Sequence, residues 1–383
     1  MSSRRTKEEL TVALPRTFPE PDLFTPDSAP SLRWGIAGPG RIASAFVSAC
    51  KRHTRQQFTV VGSRSLERAA AFAQRYELNG AVGSYEELVA RNDVDVVYIA
   101  TPQSEHLALG HRAIQAGKHV LIEKPLATNA DDALTLTNAA QAAGVFLMEA
   151  MWTRYLPQSD VIRQLIRDGV LGDVEFVIAD HGQAIVRDGT SRLWKPELGG
   201  GVLGDIGIYP IALSSEVLGT PVEIMARGGI TSTGVEANAS IVLVHANGAL
   251  ASVSVSLLTS TPIAATIAGS AARIEIAPPF FTPKGFTLSD PQVFDGEVRE
   301  WTDQTGPTRT EGLSWEATAL ARYVSEQRQQ SPLHTHAETV AILRTIDEAR
   351  RQLLTTAGEC HGPRPTAITK TEVGSGCAPV RRP

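Results

Sequence analysis

A glycine-rich turn between the first predicted strand and the first predicted helix constrains the fold of this chain most strongly. The strand-like segment RWGIAG enters the pattern G-x-G-x-x-A at positions 38–43. Small residues there let the backbone approach a pyrophosphate, and the helix N-terminus offers free N–H groups. Without a ligand, the same pattern is simply a tight strand-to-helix turn. Its place in a first βαβ unit favours dinucleotide binding by Gly38, Gly40, Arg41 and Ile42.

Strands and helices alternate from Leu32 to about Leu147. The segment VDVVYIAT is almost continuously apolar and β-branched, as expected for a strand that helices cover on both faces. From Val174 onward, strand-like segments follow one another, and HANGA joins two of them through an Asn-Gly pair. The sequence therefore predicts an α/β, doubly wound parallel sheet of Rossmann type, followed by an α+β domain with an open antiparallel sheet.

Composition sets the expected domain boundaries. Residues 1–31 are polar and contain five prolines, which predicts a disordered leader, and residues 356–383 are rich in Gly, Pro and Thr, which predicts a disordered tail. Between them, we expect a dinucleotide-binding domain over 32–150 and a domain for substrate binding and oligomerisation over 151–355. The last two helices of the body are predicted at 315–329 and 337–354.

Charge and cysteine content exclude several classes of protein. The 383 residues include 36 Lys and Arg and 41 Asp and Glu, which gives a net charge of −5 without a nucleic-acid-binding basic block. Three cysteines without metal-ligand spacing do not make a disulfide framework. No segment has the continuous apolar length of a membrane span, and the N-terminal region lacks the apolar core of a signal peptide. We therefore expect a soluble protein in the cytoplasm, without a membrane or nucleic-acid partner.

The end of the second predicted strand bears on the type of dinucleotide. An NAD site usually has a carboxylate there, about 20 residues after the glycine turn, for the ribose 2′-hydroxyl. This chain instead has Ser63 and Arg64, with Arg68 one turn further on. Arginine forms charge-assisted, bidentate hydrogen bonds to phosphate, which favours NADP over NAD. The alternative is that both arginines are solvated surface charges.

Three further residues are candidates for the chemistry. Lys124 follows the strand HVLIE at the carboxyl edge of the parallel sheet, where ligands bind in such folds, although a lysine there is often merely exposed. Asp205 and Tyr209 are four residues apart and share a face if their segment is helical. Pro210 predicts a helix start near Asp205 or Ile206, because proline is tolerated only in the first turn. Asp205 could instead be an N-cap, and Tyr209 a half-buried core aromatic.

Several segments together resemble the Gfo/Idh/MocA oxidoreductase family. They are GPGRIA, TPQSEH, AGKHVLIEKP, FLMEAMWTRYLP and GGGVLGDIGIYP, in this order and over about Leu32 to Leu354. The resemblance implies a Rossmann domain, a second domain with an open antiparallel sheet, and an active site that combines Lys124, Asp205 and Tyr209. Many members have histidine at the position of Tyr209, so the tyrosine indicates the branch of dihydrodiol and aldose dehydrogenases.

The resemblance also implies further cofactor contacts and a reaction. The implied contacts are Thr101, Pro102, His106, Glu123, Lys124, Pro125, Trp152 and Arg154. The implied reaction moves a hydride between the nicotinamide of NADP and a CH–OH carbon of a polyhydroxylated cyclic substrate, either an aldose pyranose or a trans-dihydrodiol. Tyr209 would accept or donate the proton, Lys124 would stabilise its phenolate, and Asp205 would orient the substrate or Lys124.

Two other functions remain open at this stage. A protein of this fold can be a dinucleotide sensor without catalysis, and a related enzyme can retain its cofactor, in sugar-to-sugar transfer or in glycoside cleavage. Substrate specificity is expected from several loops, including residues 187–194, and an exposed face of the second sheet favours a homo-oligomer. His334 and His336 are interpreted as surface residues rather than as metal ligands, and no metal site is predicted.

Overall fold

The computed structural model describes residues 14–187, 189, 191–292 and 296–359. Its first domain contains a six-stranded parallel sheet in the order β3-β2-β1-β4-β5-β6, with helices on both faces. The strands are β1 (Arg33–Ala37), β2 (Gln57–Gly62), β3 (Gly80–Val82), β4 (Val96–Ile99), β5 (His119–Glu123) and β6 (Leu147–Ala150). The helices are α1 (Arg41–His53), α2 (Leu66–Tyr76), α3 (Tyr85–Val89), α4 (His106–Gln115) and α5 (Ala130–Ala143). The predicted doubly wound fold is confirmed.

The second domain is built on an eight-stranded sheet in the order β14-β13-β12-β11-β7-β10-β9-β8. Its strands are β7 (Val174–Gly182), β8 (Pro221–Ile230), β9 (Glu236–His245), β10 (Leu250–Ser256), β11 (Ala265–Gly269), β12 (Arg273–Ile276), β13 (Gly285–Ser289) and β14 (Val298–Thr302). Its helices are α6 (Pro157–Arg167), α7 (Ile208–Leu218), α8 (Leu313–Ser325) and α9 (His336–Glu359). The sheet is antiparallel except for the pair β7 and β10, which is parallel.

In this second sheet, buried and exposed side chains alternate along the strands, because one face of the sheet is covered and the other is open to solvent. In β9, Ile241 and Leu243 are buried, while Val242 and Val244 on the other face are partly exposed. Helices α7 and α9 pack on the covered side. On the open face, Ile178 is 52% exposed and Met225 is 47% exposed. The open sheet that the sequence predicted is therefore present, with apolar side chains in contact with solvent.

Helix α8 returns to the first domain, although its residues fall within the range predicted for the second. Leu313 and Leu320 share one hydrophobic cluster with Trp34 and Phe46 of the dinucleotide-binding sheet and its first helix. The range 151–355 predicted for the second domain therefore includes a helix that packs on the first domain. In sequence, α8 is close to the second domain. It nevertheless packs on the first domain, because large aromatic side chains there bury its apolar residues.

Residues 14–31 are packed, whereas the sequence predicted a disordered leader over 1–31. Leu14 is 4% exposed, Phe18 packs edge-on against Phe286 of β13, and Phe24 packs edge-on against Tyr323 of α8. The backbone N–H of Asp22 donates to a carboxylate oxygen of Asp160 at 2.7 Å. Isolated apolar residues between the prolines thus anchor an extended segment across both domains. Residues 1–13 and 360–383 lie outside the described residues, and α9 extends past the predicted tail boundary at 355.

One helical stretch in the described part of the chain, Pro196–Leu218, has the length and apolar composition of a membrane span. Its most apolar window is 72% buried within the protein, as is usual for a core helix. Within it, a π-helical turn over Leu203–Gly207 leads directly into α7. The predicted helix start near Asp205 lies inside this π turn. Pro210 has no N–H to donate, and the widened turn before it accommodates that loss without ending the helix.

Candidate active site

The cleft beside the glycine turn opens at the carboxyl ends of β1 and β4, where the strand order of the sheet reverses. Gly38 has a φ of +98°, and a Cβ there would lie 3.0 Å from the carbonyl oxygen of Ala100. A side chain at position 38 would therefore occupy the space in which a ligand can closely approach the backbone. Gly40 is the N-cap of α1 and provides no side-chain acceptor, so the first N–H groups of the helix are available to a phosphate. These features fit a dinucleotide.

The cleft has a volume of about 610 Å³ and brings together most of the predicted site residues. Those in its lining are Gly38, Gly40, Arg41, Ile42, Ser63, Arg64, Arg68, Thr101, Pro102, His106, Glu123, Lys124, Trp152, Asp205 and Tyr209. Pro125 is adjacent to the lining, and its carbonyl oxygen lies 3.0 Å from Nδ1 of His106. The individual roles of these residues remain predictions, but their proximity follows from the fold.

One end of the cleft carries the residues predicted to select the dinucleotide. Ser63 is buried and its hydroxyl accepts a hydrogen bond from the backbone N–H of Ser65, which tightens the turn after β2. The side chain of Arg64 is 73% exposed, and its guanidinium lies 3.5 Å from Glu105. Ser65 caps α2 by accepting from the N–H of Arg68. Both arginines are therefore able to reach a group bound at this end.

His106 connects two loops of the cleft. It is 1% exposed, and its ring nitrogens lie 3.0 Å from the carbonyl oxygen of Pro125 and 3.1 Å from that of Thr101. Burial lowers the pKa of His106, so the ring is neutral and donates to one of the two carbonyls at a time. The residue fixes the loop after β5 against the loop after β4.

Lys124 and Asp205 form a buried charge pair in the cleft. Lys124 Nζ donates to the backbone carbonyl oxygen of Asp205 at 2.5 Å and lies 3.5 Å from Oδ1 of the same residue. Burial would lower the pKa of Lys124, but Asp205, Tyr209 and Glu123 together outweigh burial and the net shift is upward. Burial would raise the pKa of Asp205, but Lys124 and Arg192 lower it. Both residues are therefore charged at neutral pH.

Tyr209 is held by three aromatic or cationic neighbours. Lys124 Nζ lies over its ring at 4.8 Å from the centroid, Phe281 stacks on it at 5.0 Å, and Trp152 Nε1 donates to its hydroxyl oxygen at 3.2 Å. Burial raises the pKa of Tyr209, while Lys124 and the hydrogen bond from Trp152 act in the opposite direction and only reduce the shift. Without ligands, the residue is therefore a neutral phenol at neutral pH.

Arg192 and Gln103 are polar residues of the cleft that were not predicted individually. Arg192 Nη2 donates to Asp205 Oδ1 at 2.6 Å, and Gln103 packs against Gly199. Arg192 lies within the loop at 187–194 where specificity residues were expected, but a loop sequence does not fix the direction of its side chains. Phe281 was missed entirely, because it is 72 positions from Tyr209, and no local motif surrounds it.

Two further residues, Glu123 in the cleft lining and His181 beside Tyr209, have pKa values shifted by burial. Burial raises the pKa of Glu123, whose Oε1 accepts from the hydroxyl of Tyr98 at 2.5 Å. Burial lowers the pKa of His181 to about 4, and its ring stacks on Phe281 at 4.9 Å. With its pKa lowered to about 4, His181 is neutral at neutral pH and adds no cation beside Tyr209.

Arg154 was predicted as a cofactor contact, and its position contradicts this prediction. Its guanidinium lies 3.1 Å from Glu216 and donates to Glu338 at 2.6 Å, with only 2% of the side chain exposed. It borders a separate cavity, also of about 610 Å³, on the other side of Tyr209. Trp152 and Arg154 lie two residues apart in a 3₁₀ helix, so their side chains point in different directions. Arg154 is therefore part of a buried ion-pair network.

The prediction that His334 is a surface residue is wrong. His334 is 2% exposed, and its Nε2 lies 2.7 Å from Oε2 of Glu149. Glu149 Oε1 in turn accepts from the N–H of Leu126, two residues after Lys124. The nearby His336 is partly buried, with Nε2 donating to the carbonyl oxygen of Leu147 at 2.9 Å. Within the described ranges, no group of three or more His, Cys, Asp or Glu residues is arranged to hold a metal ion.

Comparison with known proteins agrees with this geometry. Residues 32–151 match the oxidoreductase family with an NAD-binding Rossmann fold, and residues 160–275 match the GFO/IDH/MocA C-terminal domain. A trans-1,2-dihydrobenzene-1,2-diol dehydrogenase from Xenopus laevis is 34% identical over 326 residues, which cover 84% of this chain and 98% of that protein. A fold and a cleft of this kind, with this match, define a two-domain NAD(P)-binding oxidoreductase.

Two solved structures share this fold. A 3-ketoreductase from Actinomadura kijaniata in complex with NADP and TDP-benzene has a TM-score of 0.74 and 25% identity, covering 85% of this chain and 98% of that one. Levoglucosan dehydrogenase in complex with NADH and levoglucosan shares the fold, with a TM-score of 0.78, 20% identity and the same coverage. The chain belongs to the Gfo/Idh/MocA oxidoreductase family, and it is a dehydrogenase or reductase acting on CH–OH groups.

Proposed function

We propose that this protein is an NADP-dependent oxidoreductase that moves a hydride between the nicotinamide and a CH–OH carbon of a polyhydroxylated cyclic substrate. The observation that carries this proposal is the meeting of Lys124, Asp205 and Tyr209 in the cleft of the glycine turn. The substrate is an aldose pyranose or a trans-dihydrodiol. The dihydrodiol follows from the activity in the name of the relative from Xenopus laevis, and the sugar from the substrate in the name of levoglucosan dehydrogenase.

The cleft residues can perform the proton transfer that such a reaction needs. When bound, the nicotinamide supplies or accepts the hydride. Because burial raises the pKa of Tyr209, its hydroxyl carries a proton at neutral pH and can donate it to a carbonyl oxygen. In the oxidative direction, the substrate hydroxyl returns that proton to the phenolate. Lys124 and the indole N–H of Trp152 stabilise the phenolate by charge and by a hydrogen bond.

Asp205 has an electrostatic role in this scheme. Its carboxylate acts with Tyr209 and Glu123 to hold the pKa of Lys124 above its ordinary value against the effect of burial, so the lysine remains a cation beside the reacting oxygen. Its backbone carbonyl oxygen accepts from Lys124 Nζ and fixes the direction of that side chain. Lys124 thus polarises the substrate oxygen, and Tyr209 transfers the proton.

The choice of NADP rests on the residues after β2. Arg64 is largely exposed at the cleft, Arg68 is one turn further along, and Ser63 is close to both. Guanidinium groups at this position match a 2′-phosphate, whereas the strand end has no carboxylate to bind a 2′-hydroxyl. We further propose a homo-oligomer that covers the open face of the second sheet, and a cytoplasmic location.

The test is an initial-rate assay at 340 nm with NADP and with NAD, against aldoses, cyclitols and trans-dihydrodiols. The expected result is turnover with NADP that Tyr209→Phe lowers strongly while NADP affinity stays unchanged. Turnover that survives in Tyr209→Phe would contradict the role of the tyrosine. Tight NADP binding without any turnover would favour a dinucleotide sensor, and purification with a bound nicotinamide would favour an enzyme that retains its cofactor.

A further inference from the structure

A second cavity lies on the other side of Tyr209 from the dinucleotide cleft. Its volume is about 610 Å³, within the range of about 300–1,000 Å³ that is usual for small-molecule sites. Tyr209 is the residue that the described linings of the cavity and the cleft share. Phe281 stacks on the Tyr209 ring at 5.0 Å and lines the cavity but not the cleft. A layer of aromatic rings therefore separates the two spaces, and the proposed reaction leaves the cavity unused.

The walls of this cavity come from both domains. Helices α6 and α7 of the second domain line it, and so does α8, which packs on the first domain. Residues 22–24 of the N-terminal segment close one side, where Phe24 is held by its edge-on contact with Tyr323. The cavity is therefore bounded by several elements, each of which is fixed by packing elsewhere in the fold.

The charges around the cavity cancel one another. Its lining contains four arginines and four acidic residues. Arg154 Nη1 lies 3.1 Å from Oε2 of Glu216, and Arg163 Nη1 lies 2.9 Å from Oε1 of the same carboxylate. Transfer of a further ion from water into this space is costly, because these arginines already have carboxylate partners. The cavity therefore suits an uncharged ligand.

The rest of the lining combines aromatic rings with polar groups that lack partners. Phe280, Phe281 and Tyr323 are among the aromatic residues. Gln158 of α6 is 3% exposed, and its amide has no hydrogen-bond partner in the part of the chain that the structure describes. The indole Nε1 of Trp315 is buried without an acceptor among the same residues. Since buried polar groups in proteins are generally hydrogen-bonded, unpaired ones beside a cavity indicate a bound molecule that completes them.

We propose that this cavity is a second binding site, which takes a neutral aromatic compound with a hydroxyl or carbonyl group while the dinucleotide occupies the cleft. The aromatic part packs against Phe280 and Phe281, as aromatic rings do in protein interiors. The hydroxyl or carbonyl group bonds to the amide of Gln158, which can both donate and accept. A ligand there contacts Tyr209 from the side away from the dinucleotide. The inference is independent of the proposed function, because binding requires no turnover.

The experiment uses 2-naphthol as the probe and 2-methylnaphthalene as its counterpart without a hydroxyl. Equilibrium dialysis against the full chain with saturating NADP gives the Kd and the stoichiometry of each. We expect one molecule of 2-naphthol per chain, and no measurable binding of the anion 2-naphthoate. Gln158→Met keeps the length of the side chain but removes the amide. It should therefore lower the preference for 2-naphthol over 2-methylnaphthalene, as a ratio of Kd values, by about 3- to 10-fold.

Controls separate the cavity from the cleft and from the surface. Gln141→Met, at an exposed position of α5, and Arg192→Gln, in the lining of the cleft alone, should leave the ratio unchanged. Val217→Trp fills the cavity from α7 and should abolish binding of both compounds, which tests the site independently of Gln158. Displacement of 2-naphthol by NADP, binding that survives in Val217→Trp, an unchanged ratio in Gln158→Met, or equally tight binding of 2-naphthoate would each overturn the inference.

Discussion

The ammonium of Lys124 lies over the face of the Tyr209 ring, 4.8 Å from its centroid. The direct hydrogen bond to the phenol oxygen comes from Trp152 instead, at 3.2 Å. Lys124 therefore acts on Tyr209 through its charge, and it remains free to contact a substrate oxygen. This arrangement divides the stabilisation of a phenolate between a cation and a neutral donor.

Replacement of Lys124 tests the contribution of the cation to phenolate stabilisation. Lys124→Met removes the cation but keeps a side chain of similar length, and kcat should fall by about 10²- to 10⁴-fold. Dinucleotide affinity, measured by fluorescence titration, should change much less. Lys124→Arg is the matched control, because it restores the charge and should recover part of the activity. Equal activity in Lys124→Met and the wild type would contradict the electrostatic role.

The pH dependence of the reaction tests the contribution of the neutral donor, the indole N–H of Trp152. The pKa of Tyr209 is above its ordinary value because of burial, so oxidation, which needs the phenolate, should become faster as pH rises through and beyond neutrality. Reduction, which needs the neutral phenol, should be independent of pH there and fall only at high pH. Trp152→Phe removes a hydrogen bond that lowers this pKa, so the rising limb of kcat/KM should move to higher pH.

A matched variant distinguishes the hydrogen bond from the packing of the aromatic rings. Phe281→Leu removes a stacking partner of Tyr209 without changing any hydrogen bond to its hydroxyl. It should alter KM or kcat, while the pH at which kcat/KM for oxidation rises should stay nearly unchanged. A limb that moves equally in Trp152→Phe and Phe281→Leu would show that packing, rather than the indole N–H, sets the pKa.

The parts of the site that the sequence predicted are those encoded by short-range patterns. The glycine turn, Lys124 after β5, and the Asp205 and Tyr209 pair each follow from a few consecutive residues and the geometry of the element that carries them. Arg192 was reached only as part of a loop, since its bond to Asp205 depends on how that loop turns.

Other features depend on contacts between distant positions. The hydrogen bond between Glu149 and His334 joins residues 185 positions apart, and no local sequence pattern predicts it. The same holds for Phe18 and Phe24, which anchor the N-terminal segment on β13 and α8. In a polar, proline-rich segment, composition predicts disorder, whereas a few apolar contacts to the folded body decide the outcome.

The buried pair of Glu149 and His334 should contribute strongly to stability. Glu149→Leu leaves His334 and the N–H of Leu126 without their partner, and removal of one member of a buried pair costs about 3–5 kcal/mol of the free energy of unfolding. Urea unfolding should show a clearly lower midpoint. Glu67→Leu, at an exposed position of α2, is the control and should leave the midpoint nearly unchanged.

The same pair predicts a pH dependence of stability. Burial would lower the pKa of His334, but the hydrogen bond to Glu149 and the carboxylate of Glu338, 3.6 Å from Nδ1, together outweigh burial and raise the pKa. The pair's stabilisation is therefore fully present below the unfolded-state pKa of about 6.5 and is lost as pH rises through the higher folded-state pKa. The unfolding midpoint of the wild type should fall over this range more than that of His334→Gln. Parallel curves for the two proteins would contradict the assignment.

Arg64 is predicted to select the phosphorylated dinucleotide. Arg64→Asp replaces a phosphate-binding cation with a carboxylate suited to a ribose 2′-hydroxyl, so the ratio of kcat/KM for NADP over NAD should fall by about 10- to 100-fold or more. Arg75→Gln, at the far end of α2, removes a positive charge outside the cleft and should leave this ratio unchanged. An unchanged ratio in Arg64→Asp would show that Arg64 is only a solvated surface residue.

The open face of the second sheet is predicted to form the interface of a homo-oligomer. Ile178 and Met225 lie on this face with about half of each side chain exposed, at 52% and 47%. Apolar side chains on an uncovered sheet are costly in water, and a second copy of the sheet would bury them. Light scattering should therefore find a dimer or larger assembly for the wild type and a smaller species for the double variant Ile178→Lys, Met225→Lys. Leu66→Lys, at a position of α2 that is 56% exposed, should leave the assembly intact. A wild type that stays monomeric at high concentration would exclude this interface.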